Sequence, residues 1–307
     1  MKVKKRANTG PANKNQNTEK RKDYRKKNAE KKKEKNQSVV NKKEGNQSVV
    51  DKKDNKNLSV TKMKASQKID NNPKRMNRKK QRELWNLPLR ERMMTHLKAS
   101  RFRFINEQLY TNDSNANKKL FQEDPSAFHA YHEGYKNQVE KWPMNPVDVI
   151  IKSLLKMPKE HIIADFGCGE AKIAETVPQT VHSFDLVAAN EKVKECDIAN
   201  TPLLTGRTNV VVFCLSLMGS NLSDYILEAN RVLIQGGILK IAEVESRFEK
   251  IEDFIHQMKS YGFVNTWKDL SHNIFYFMDF KKTKDVSKTD AKKLPNLLLK
   301  SCMYKKR

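Results

Sequence analysis

Apolar and polar residues follow two different periods along the second half of the chain. Residues 209–216 form an apolar run, which is typical of a strand that is buried on both faces of a parallel sheet. Residues 222–233 instead repeat apolar side chains at helical spacing, and we expect Gly236 and Gly237 to end that helix. The same criteria predict a strand that starts at residue 162, further strands at 181–187, 193–198, 238–244, 263–270 and 274–280, and helices at 147–155 and 248–261.

These elements predict an α/β fold with a seven-stranded sheet. Strands and helices alternate up to residue 261, and this order is typical of βα units around a parallel sheet. The last two strands follow each other without a helix between them. We therefore expect an antiparallel hairpin at the C-terminal end of the sheet.

The segment before the first strand is predicted to be largely helical. Residues 84–110 mix apolar and basic side chains at roughly helical spacing. The run 101–104 reads Arg-Phe-Arg-Phe, which fits either an RNA-facing patch or a helix packed on the core, and packing is favoured. The polar residues 111–119 are interpreted as a loop, and Pro146 introduces the helix that precedes the first strand.

Charge is distributed unevenly along the 307 residues. Residues 1–80 hold 28 Lys and Arg against 8 Asp and Glu, with almost no aromatic residues, so we expect this segment to be disordered. Residues 81–280 carry a net charge of −3, and residues 281–307 carry +8. A nearly neutral folded part between basic tails favours a catalytic module tethered to nucleic acid over tails that serve only solubility.

Other sequence features indicate the cellular context. The basic clusters at 20–22 and 31–33 are typical of a nuclear or nucleolar address. The first six residues lack the apolar core of a secretory signal, and no apolar run reaches the ~18 residues that a membrane-spanning helix needs. Four scattered cysteines without a Cys-x-x-Cys pair predict neither a metal site nor disulfides, which fits a reducing compartment.

A glycine turn after the first strand is the clearest chemical signal. Residues 165–169 read Asp-Phe-Gly-Cys-Gly, and Gly167 and Gly169 permit a positive φ and a close approach of ligand to backbone. A dinucleotide site would need a third glycine where Lys172 stands, so that cofactor class is disfavoured. Asp185 ends the next predicted strand, about 20 residues past the turn, and is interpreted as the acceptor for a ribose diol.

Longer motifs resemble one family. Four segments are similar to the ribosomal RNA-processing protein 8 family of class I S-adenosylmethionine-dependent methyltransferases: 165–169, 213–219 (Phe-Cys-Leu-Ser-Leu-Met-Gly), 228–233 (Glu-Ala-Asn-Arg-Val-Leu) and 240–244 (Lys-Ile-Ala-Glu-Val). The motifs Tyr-His-x-Gly at 131–134 and Trp-Pro-x-x-Pro at 142–146 resemble the segment before that family's first strand. The resemblance covers about residues 82–307, whereas residues 1–80 share only the basic composition.

The resemblance implies a fold, a cofactor, a product and a location. A Rossmann-like sheet that binds S-adenosyl-L-methionine would make 1-methyladenosine in large-subunit (pre-60S) ribosomal RNA, in the nucleolus of the nucleus. The vertebrate family member is also linked to silencing of ribosomal DNA, in a complex with a deacetylase and a histone methyltransferase. The cofactor contacts implied by motif match are His132, Gly167, Asp185, Asp197, Ile198 and Cys214.

The implied roles differ between these positions. Asp197 would accept a hydrogen bond from the adenine amino group, with Ile198 beside the ring. Cys214 would lie next to the cofactor at the end of the central strand, and His132 would cover the methionine end. Without the resemblance, His132 is interpreted as a packed or surface histidine and Cys214 as a small core residue.

The implied chemistry needs little from the protein beyond placement. The sulfonium methyl group is already activated and the acceptor nitrogen has a lone pair, so no catalytic residue is identified, and positioning and exclusion of water should dominate. The Watson–Crick edge of the adenine has to be unpaired. Amino-group adenine methyltransferases usually carry Asn/Asp-Pro-Pro-aromatic after the fourth strand. Residues 214–217 read Cys-Leu-Ser-Leu, which argues against amino-group methylation.

Other functions stay open at this point. A protein methyltransferase, or a chromatin-associated silencing subunit that binds methylated histone tails and uses the fold for cofactor sensing, would suit the tails as well. A small-molecule methyltransferase has no use for the basic tails, and an NAD-dependent oxidoreductase is disfavoured by the missing glycine and the final hairpin. The predicted organisation is a disordered tail at 1–80, a helical extension at 81–158, the cofactor-binding core at 159–281 and a basic segment at 282–307.

Overall fold

The computed structural model describes residues 85–272, 274–302 and 304. The disorder and the nuclear address predicted for residues 1–80 lie outside this part of the chain. The strands are β1 (Ile162–Phe166), β2 (Thr180–Asp185), β3 (Val193–Glu195), β4 (Thr208–Cys214), β5 (Leu233–Val244), β6 (Phe263–Asp269) and β7 (Phe275–Lys282). The helices are α1 (Leu89–Thr111), α2 (Ser114–Glu123), α3 (Pro125–Val139), α4 (Pro146–Leu154), α5 (Lys172–Thr176), α6 (Leu222–Val232), α7 (Ile251–Ser260) and α8 (Lys288–Ala291), with a 3₁₀ turn at Glu245–Arg247. None of these helices is long and apolar enough to cross a membrane.

The seven strands form one sheet in the order β3-β2-β1-β4-β5-β7-β6. β1 pairs in parallel with β2 and β4, and β4 pairs in parallel with β5, whereas β7 lies antiparallel between β5 and β6. The predicted α/β class, the seven strands and the C-terminal antiparallel hairpin are confirmed. The strand order reverses between β1 and β4, and open α/β sheets bind ligands in the crevice at the carboxyl ends of such strands.

Helices cover both faces of the sheet. Val211 and Phe213 of β4 enter a cluster with α6 and α7, whereas Val210 and Val212 enter a second cluster with α4. All four side chains are completely buried. Successive side chains of a strand point to opposite faces, so a strand covered on both sides carries an unbroken apolar run.

A separate layer of helices, α1 to α3, covers the crevice. Its buried apolar cluster contains Ile105, Leu109, Phe121, Ala127 and Phe128. Leu186 and Met218, which follow β2 and β4, pack against this cluster, so the layer lies over the carboxyl ends of the strands. Gly134 lets α3 approach α1 closely, because a Cβ at this position would clash with the Phe102 ring.

Helix α2 occupies most of the predicted loop at 111–119, so that prediction is wrong. Asp113 caps the helix by accepting a hydrogen bond from the backbone N–H of Ala116 at 2.8 Å. Ser114 and Asn117 are each 2% exposed; the Ser114 hydroxyl donates to Asp197, and the Asn117 amide donates to the Leu109 carbonyl. The polar composition hid a helix that buries two hydrogen-bonded polar residues beside Phe121.

Gly236 and Gly237 lie inside strand β5 and do not end a helix. Helix α6 ends at Val232, and β5 begins at the next residue and continues through both glycines. Gly236 has a φ of +77°, and the pairing with β4 shifts register between Thr208 and Val210. The glycines therefore accommodate an irregularity in the strand, and their predicted role is wrong.

The two phenylalanines of the run 101–104 lie in opposite environments on α1. Phe102 is 2% exposed and its ring stacks on Tyr131, with the centroids 5.6 Å apart. Phe104 is 62% exposed. The favoured packing role is confirmed for Phe102, while the surface alternative remains open for Phe104.

The basic segment after β7, expected to be a tail, is packed on the rest of the fold. The Tyr261 hydroxyl donates to the Pro295 carbonyl at 2.6 Å, and Leu297 is 1% exposed. The Asn106 side chain donates to the Cys302 carbonyl at 2.9 Å. The expectation of a free C-terminal tail is wrong for these residues, because backbone carbonyls of the segment satisfy polar groups of the folded part.

Candidate functional site

A cavity of about 490 Å³ lies between the carboxyl ends of the strands and the helical layer. Its walls come from the glycine turn after β1, from the segments that follow β2, β3 and β4, and from α1 to α3. The structure brings all six predicted site residues to this one cavity: His132, Gly167, Asp185, Asp197, Ile198 and Cys214. Their role as cofactor contacts stays a prediction.

The turn after β1 is held in a conformation that needs glycine. Gly167 and Gly169 have φ values of +75° and +57°, as the Gly-x-Gly pattern predicts. The backbone N–H groups of Gly167 and Cys168 both donate to the Phe184 carbonyl, at 2.8 and 3.1 Å. A Cβ on Gly167 would clash with the Ser216 side chain, so the turn lies directly against the segment after β4.

Asp185 stands at the end of β2 and faces the turn. One carboxylate oxygen accepts from the Gly169 N–H and the other from the Leu186 N–H, both at 2.8 Å. Burial raises the pKa of Asp185 to about 6, although these backbone donors partly counteract the rise. Each oxygen keeps a further lone pair for a ligand, so the side chain can accept two O–H bonds from a diol.

Asp165, the last but one residue of β1, is a second buried carboxyl group in the wall of the cavity. It is 3% exposed. Burial first, and the charge of Asp185 second, raise the pKa of Asp165 to about 7. The glycine motif contains this residue, although the sequence pattern predicts no contact for it. Two buried carboxyl groups in one wall make that wall attractive to a cationic group.

Asp197 follows β3 and is oriented by the helical layer. Its carboxylate accepts from the Ser114 hydroxyl at 2.7 Å and from the Ala199 N–H at 2.9 Å. Ile198 is 8% exposed beside it. The contribution of Ser114 was missed, because it lies in the segment interpreted as a loop.

His132 projects from α3 into an aromatic neighbourhood. Its ring centroid is 4.2 Å from that of Phe128 and 5.5 Å from that of Tyr131. Burial lowers the pKa of His132 to about 4, so the imidazole is neutral near pH 7. Its ring lies near Gly169, where an added Cβ would be 3.6 Å from the imidazole. The histidine and the glycine turn therefore line the same end of the cavity.

Cys214 and Leu215 form the rim after β4. Burial, followed by the charge of Asp165, raises the pKa of the Cys214 thiol well above its usual range, so the side chain is a neutral wall rather than a nucleophile. Leu215 has a φ of +59°, which is uncommon for a residue other than glycine. Its N–H donates to the Ala242 carbonyl at 2.9 Å, and this bond fixes the strained backbone. No sequence pattern indicated this conformation.

These groups suit one kind of ligand. Asp165 and Asp185 provide carboxyl groups near the glycine turn, and Asp197 and Ile198 lie after the adjacent strand. They suit an elongated molecule whose cationic end faces Asp165, whose diol faces Asp185, and whose heteroaromatic ring lies at Asp197 and Ile198. Within the residues that the structure describes, no cluster of three His, Cys, Asp or Glu side chains could hold a metal ion.

Comparison with known proteins identifies the family. A family described as a hypothetical methyltransferase matches residues 88–307. "Ribosomal RNA-processing protein 8" of Mus musculus is 48% identical over 219 residues, which cover 71% of this chain and 48% of that protein. The protein of the same name from Drosophila melanogaster is also 48% identical, over 71% of this chain and 61% of its own length. "25S rRNA (adenine(645)-N(1))-methyltransferase" of Schizosaccharomyces pombe is 43% identical over 71% of this chain and 72% of its own.

The aligned segment spans about half the length of the mouse relative and more of the other two. The family match at residues 88–307 includes the helical layer, the whole sheet and every residue around the cavity. The chain belongs to the ribosomal RNA-processing protein 8 family.

Proposed function

We propose that this protein is an S-adenosyl-L-methionine-dependent methyltransferase that makes 1-methyladenosine in large-subunit ribosomal RNA. The observation that carries the proposal is the single cavity that collects six residues from separate elements of the fold. The name of the fission yeast relative supports adenine N1 of ribosomal RNA as the acceptor.

The residues around the cavity fit that cofactor. The free lone pairs of Asp185 suit the two ribose hydroxyls, and Asp197 suits the adenine amino group with Ile198 against the ring. The open backbone at Gly169 leaves room for the methionine end, and the carboxyl group of Asp165 suits its positive charge.

No catalytic base is needed for this reaction. The bound cofactor would supply an activated methyl group. The lone pair of N1 forms the new bond, the carbon–sulfur bond breaks, and the positive charge passes from sulfur to the base without loss of a proton. The protein's part is to align the acceptor, exclude water and keep further cations away. His132 and Cys214 fit that part, since both are neutral near pH 7.

The proposed substrate is consistent with the charge distribution. Residues 1–80 carry 28 basic against 8 acidic residues, which suits an arm that neutralises RNA phosphates in a salt-dependent way. The basic clusters in that segment support action in the nucleus and nucleolus. The chromatin-silencing alternative is not favoured, because neither the names of the three relatives nor the cavity points to a histone substrate.

Methyl transfer to ribosomal RNA tests the proposal directly. The purified full chain is incubated with labelled S-adenosylmethionine and ribosomal RNA that lacks the modification, and the nucleosides are separated. We expect labelled 1-methyladenosine from the wild type and from Asp253→Asn, which changes an exposed carboxylate of α7. Asp185→Asn should lose the product. Label in a different nucleoside, or none despite confirmed cofactor binding, would contradict the proposal.

A further inference from the structure

The six predicted cofactor residues leave part of the cavity wall unassigned. That part contains Tyr131 and Tyr135 of α3, Asn145 before α4, and Leu215 and Ser216 after β4. Ser216 touches the glycine turn, so this wall adjoins the end of the cavity assigned above to the methionine part of the cofactor. A molecule that receives the methyl group has to lie next to that end. The unassigned wall is therefore in the right place for the acceptor.

The aromatic side chains of this wall form a supported stack. The rings of Tyr131 and Tyr135 are inclined by 23°, with centroids 6.3 Å apart. Tyr135 meets Trp142 edge-on at 5.8 Å, and Trp142 meets Phe275 edge-on at 4.9 Å. Each ring contacts the next, so neighbouring aromatic groups restrain the two tyrosines, and aromatic side chains are the usual stacking partners of an unpaired base.

Two polar groups of the wall have spare hydrogen-bonding capacity. The Tyr131 hydroxyl reaches Met218 Sδ at 3.3 Å, whereas the Tyr135 hydroxyl has no hydrogen-bond partner among the described residues. Asn145 Oδ1 accepts from the Val147 N–H at 3.3 Å and keeps one lone pair. Its amide NH₂ group donates to none of the described side chains or carbonyls. These groups are available to a ligand in the cavity.

We propose that Asn145 and the Tyr131–Tyr135 stack bind the unpaired acceptor adenine, with Asn145 on its N6 and N7 atoms. This inference rests on the proposed function and specifies its substrate site. An asparagine amide pairs with adenine by accepting from N6 and donating to N7. That pairing uses the Hoogsteen edge and leaves N1 free. Guanine has an acceptor where adenine has its amino group, so the same contact rejects guanine.

The aromatic wall also assists the reaction. The adenine gains a positive charge as its N1 is methylated, and a cation is attracted to the face of an aromatic ring. The attraction is stronger in the transition state than for the neutral base, and only such a difference accelerates the step. The lysines that line the cavity do not oppose this build-up of positive charge on the adenine, because each is paired with a carboxylate. Lys136 is paired with Glu170 and Lys172 with Asp148, each at 2.6 Å.

The test compares adenine with 7-deazaadenine, which lacks the N7 acceptor but keeps N1. The substrate is an RNA hairpin with a single adenosine in its loop, and binding in the presence of S-adenosylhomocysteine is measured beside methyl transfer. Asn145→Ser keeps a residue that caps a helix N-terminus and removes the amide. Asn137→Ser, an exposed position on α3, is the matched control.

We expect 7-deazaadenine to lower RNA affinity and kcat/KM of the wild type and of Asn137→Ser at least tenfold. With the adenine substrate, Asn145→Ser should already have an RNA affinity and a kcat/KM about tenfold below those of the wild type. Replacing adenine by 7-deazaadenine should lower neither value further, and the affinity of this variant for S-adenosylmethionine should be unchanged. Tyr135→Leu should lower kcat more than Tyr135→Phe, which keeps the ring. A wild type that is indifferent to the analogue, or an Asn145→Ser variant that remains sensitive to it, would overturn the inference. Base-dependent binding without any methyl transfer would instead refute the proposed function and leave the subsite standing.

Discussion

Gly167 and Ser216 are packed so closely that no side chain fits between them. A Cβ on Gly167 would overlap the Ser216 side chain, and the Ser216 hydroxyl donates to the carbonyl of Phe166. The contact joins the turn after β1 to the segment after β4. It therefore holds the proposed cofactor end of the cavity and the proposed acceptor wall in a fixed relation.

Gly167→Ala should disrupt the packing of the turn after β1 against the segment after β4. The substitution adds a clash with Ser216 to the cost of a positive φ, so we expect at least a tenfold loss of cofactor affinity in calorimetric titration, with a lower Tm. Gly206→Ala is the control, because Gly206 also has a positive φ, +62°, but has no atom within 4 Å of the added Cβ. It should lower stability by about 1 kcal/mol and leave affinity unchanged. Equal losses of affinity in the two variants would show that the clash is unimportant.

Cofactor binding should weaken as the pH falls. The pKa of Asp185 is about 6 because of burial, so the carboxyl group retains its proton in acid, when it is a poorer acceptor for the ribose hydroxyls. We expect Kd for S-adenosylmethionine to rise about tenfold for each pH unit below 6. Titration in two buffers of different ionisation enthalpy should detect protons released on binding at pH 6. Asp185→Asn should lose most of the affinity and keep only the pH dependence that Asp165 contributes near pH 7. A wild-type Kd that stays constant from pH 8 to 5 would contradict the prediction.

The cofactor-free protein should also reveal the cost of burying Asp165. Its pKa is raised to about 7, so between about pH 4 and 7 the folded chain holds a proton that the unfolded chain has lost. The contribution of this group to the free energy of unfolding is therefore present in acid and is lost as the pH rises through 7. Asp165→Asn cannot ionise, and its Tm relative to the wild type should increase from pH 4 to pH 8. A constant difference in Tm would show that the carboxyl group is not perturbed.

Ser114→Ala should weaken cofactor binding without unfolding the protein. The hydroxyl donates to Asp197 at 2.7 Å and orients the carboxylate that we assign to the adenine amino group. Loss of one such bond is worth about 1 kcal/mol, or roughly fivefold in Kd. Ser126→Ala removes a similar serine–aspartate bond at an exposed site and is the control. S-inosylhomocysteine lacks the amino group, and its affinity should be nearly the same for the wild type and Ser114→Ala.

The buried pair Glu243 and Arg247 should be important for stability. Their charged atoms are 2.9 Å apart, close enough for an ion pair although the angle is poor for a hydrogen bond, and both side chains are 1% exposed. Glu243→Gln leaves the guanidinium without its counter-charge, which should cost about 3–5 kcal/mol in urea unfolding. The double change Glu243→Gln with Arg247→Met removes both charges and should recover part of that loss. A double variant less stable than Glu243→Gln would contradict this account.

Elements and site residues could be predicted from the sequence where the pattern that identifies them lies within one short segment. The central strand β4 is recognisable because its residues are apolar on both faces, and Asp185 because a strand ends at it after a glycine turn. Helix α2 was not recognisable, since Ser114 is buried by a bond to Asp197, which lies 83 positions along the chain. Tyr135 was equally hidden, because aromatic residues on a helix usually indicate packing and only the folded chain places this one in the cavity wall.

The bond from Asn106 to the Cys302 carbonyl has a consequence for how the molecule assembles. It closes a loop of 196 positions, and the entropic cost of so long a loop delays such contacts until much of the intervening chain is ordered. The sheet and the helical layer, whose contacts join nearer neighbours, are expected to form before the C-terminal segment docks on α1. Since α1 contributes Leu109 to the cavity wall, docking of that segment is then the step that completes the support of the wall.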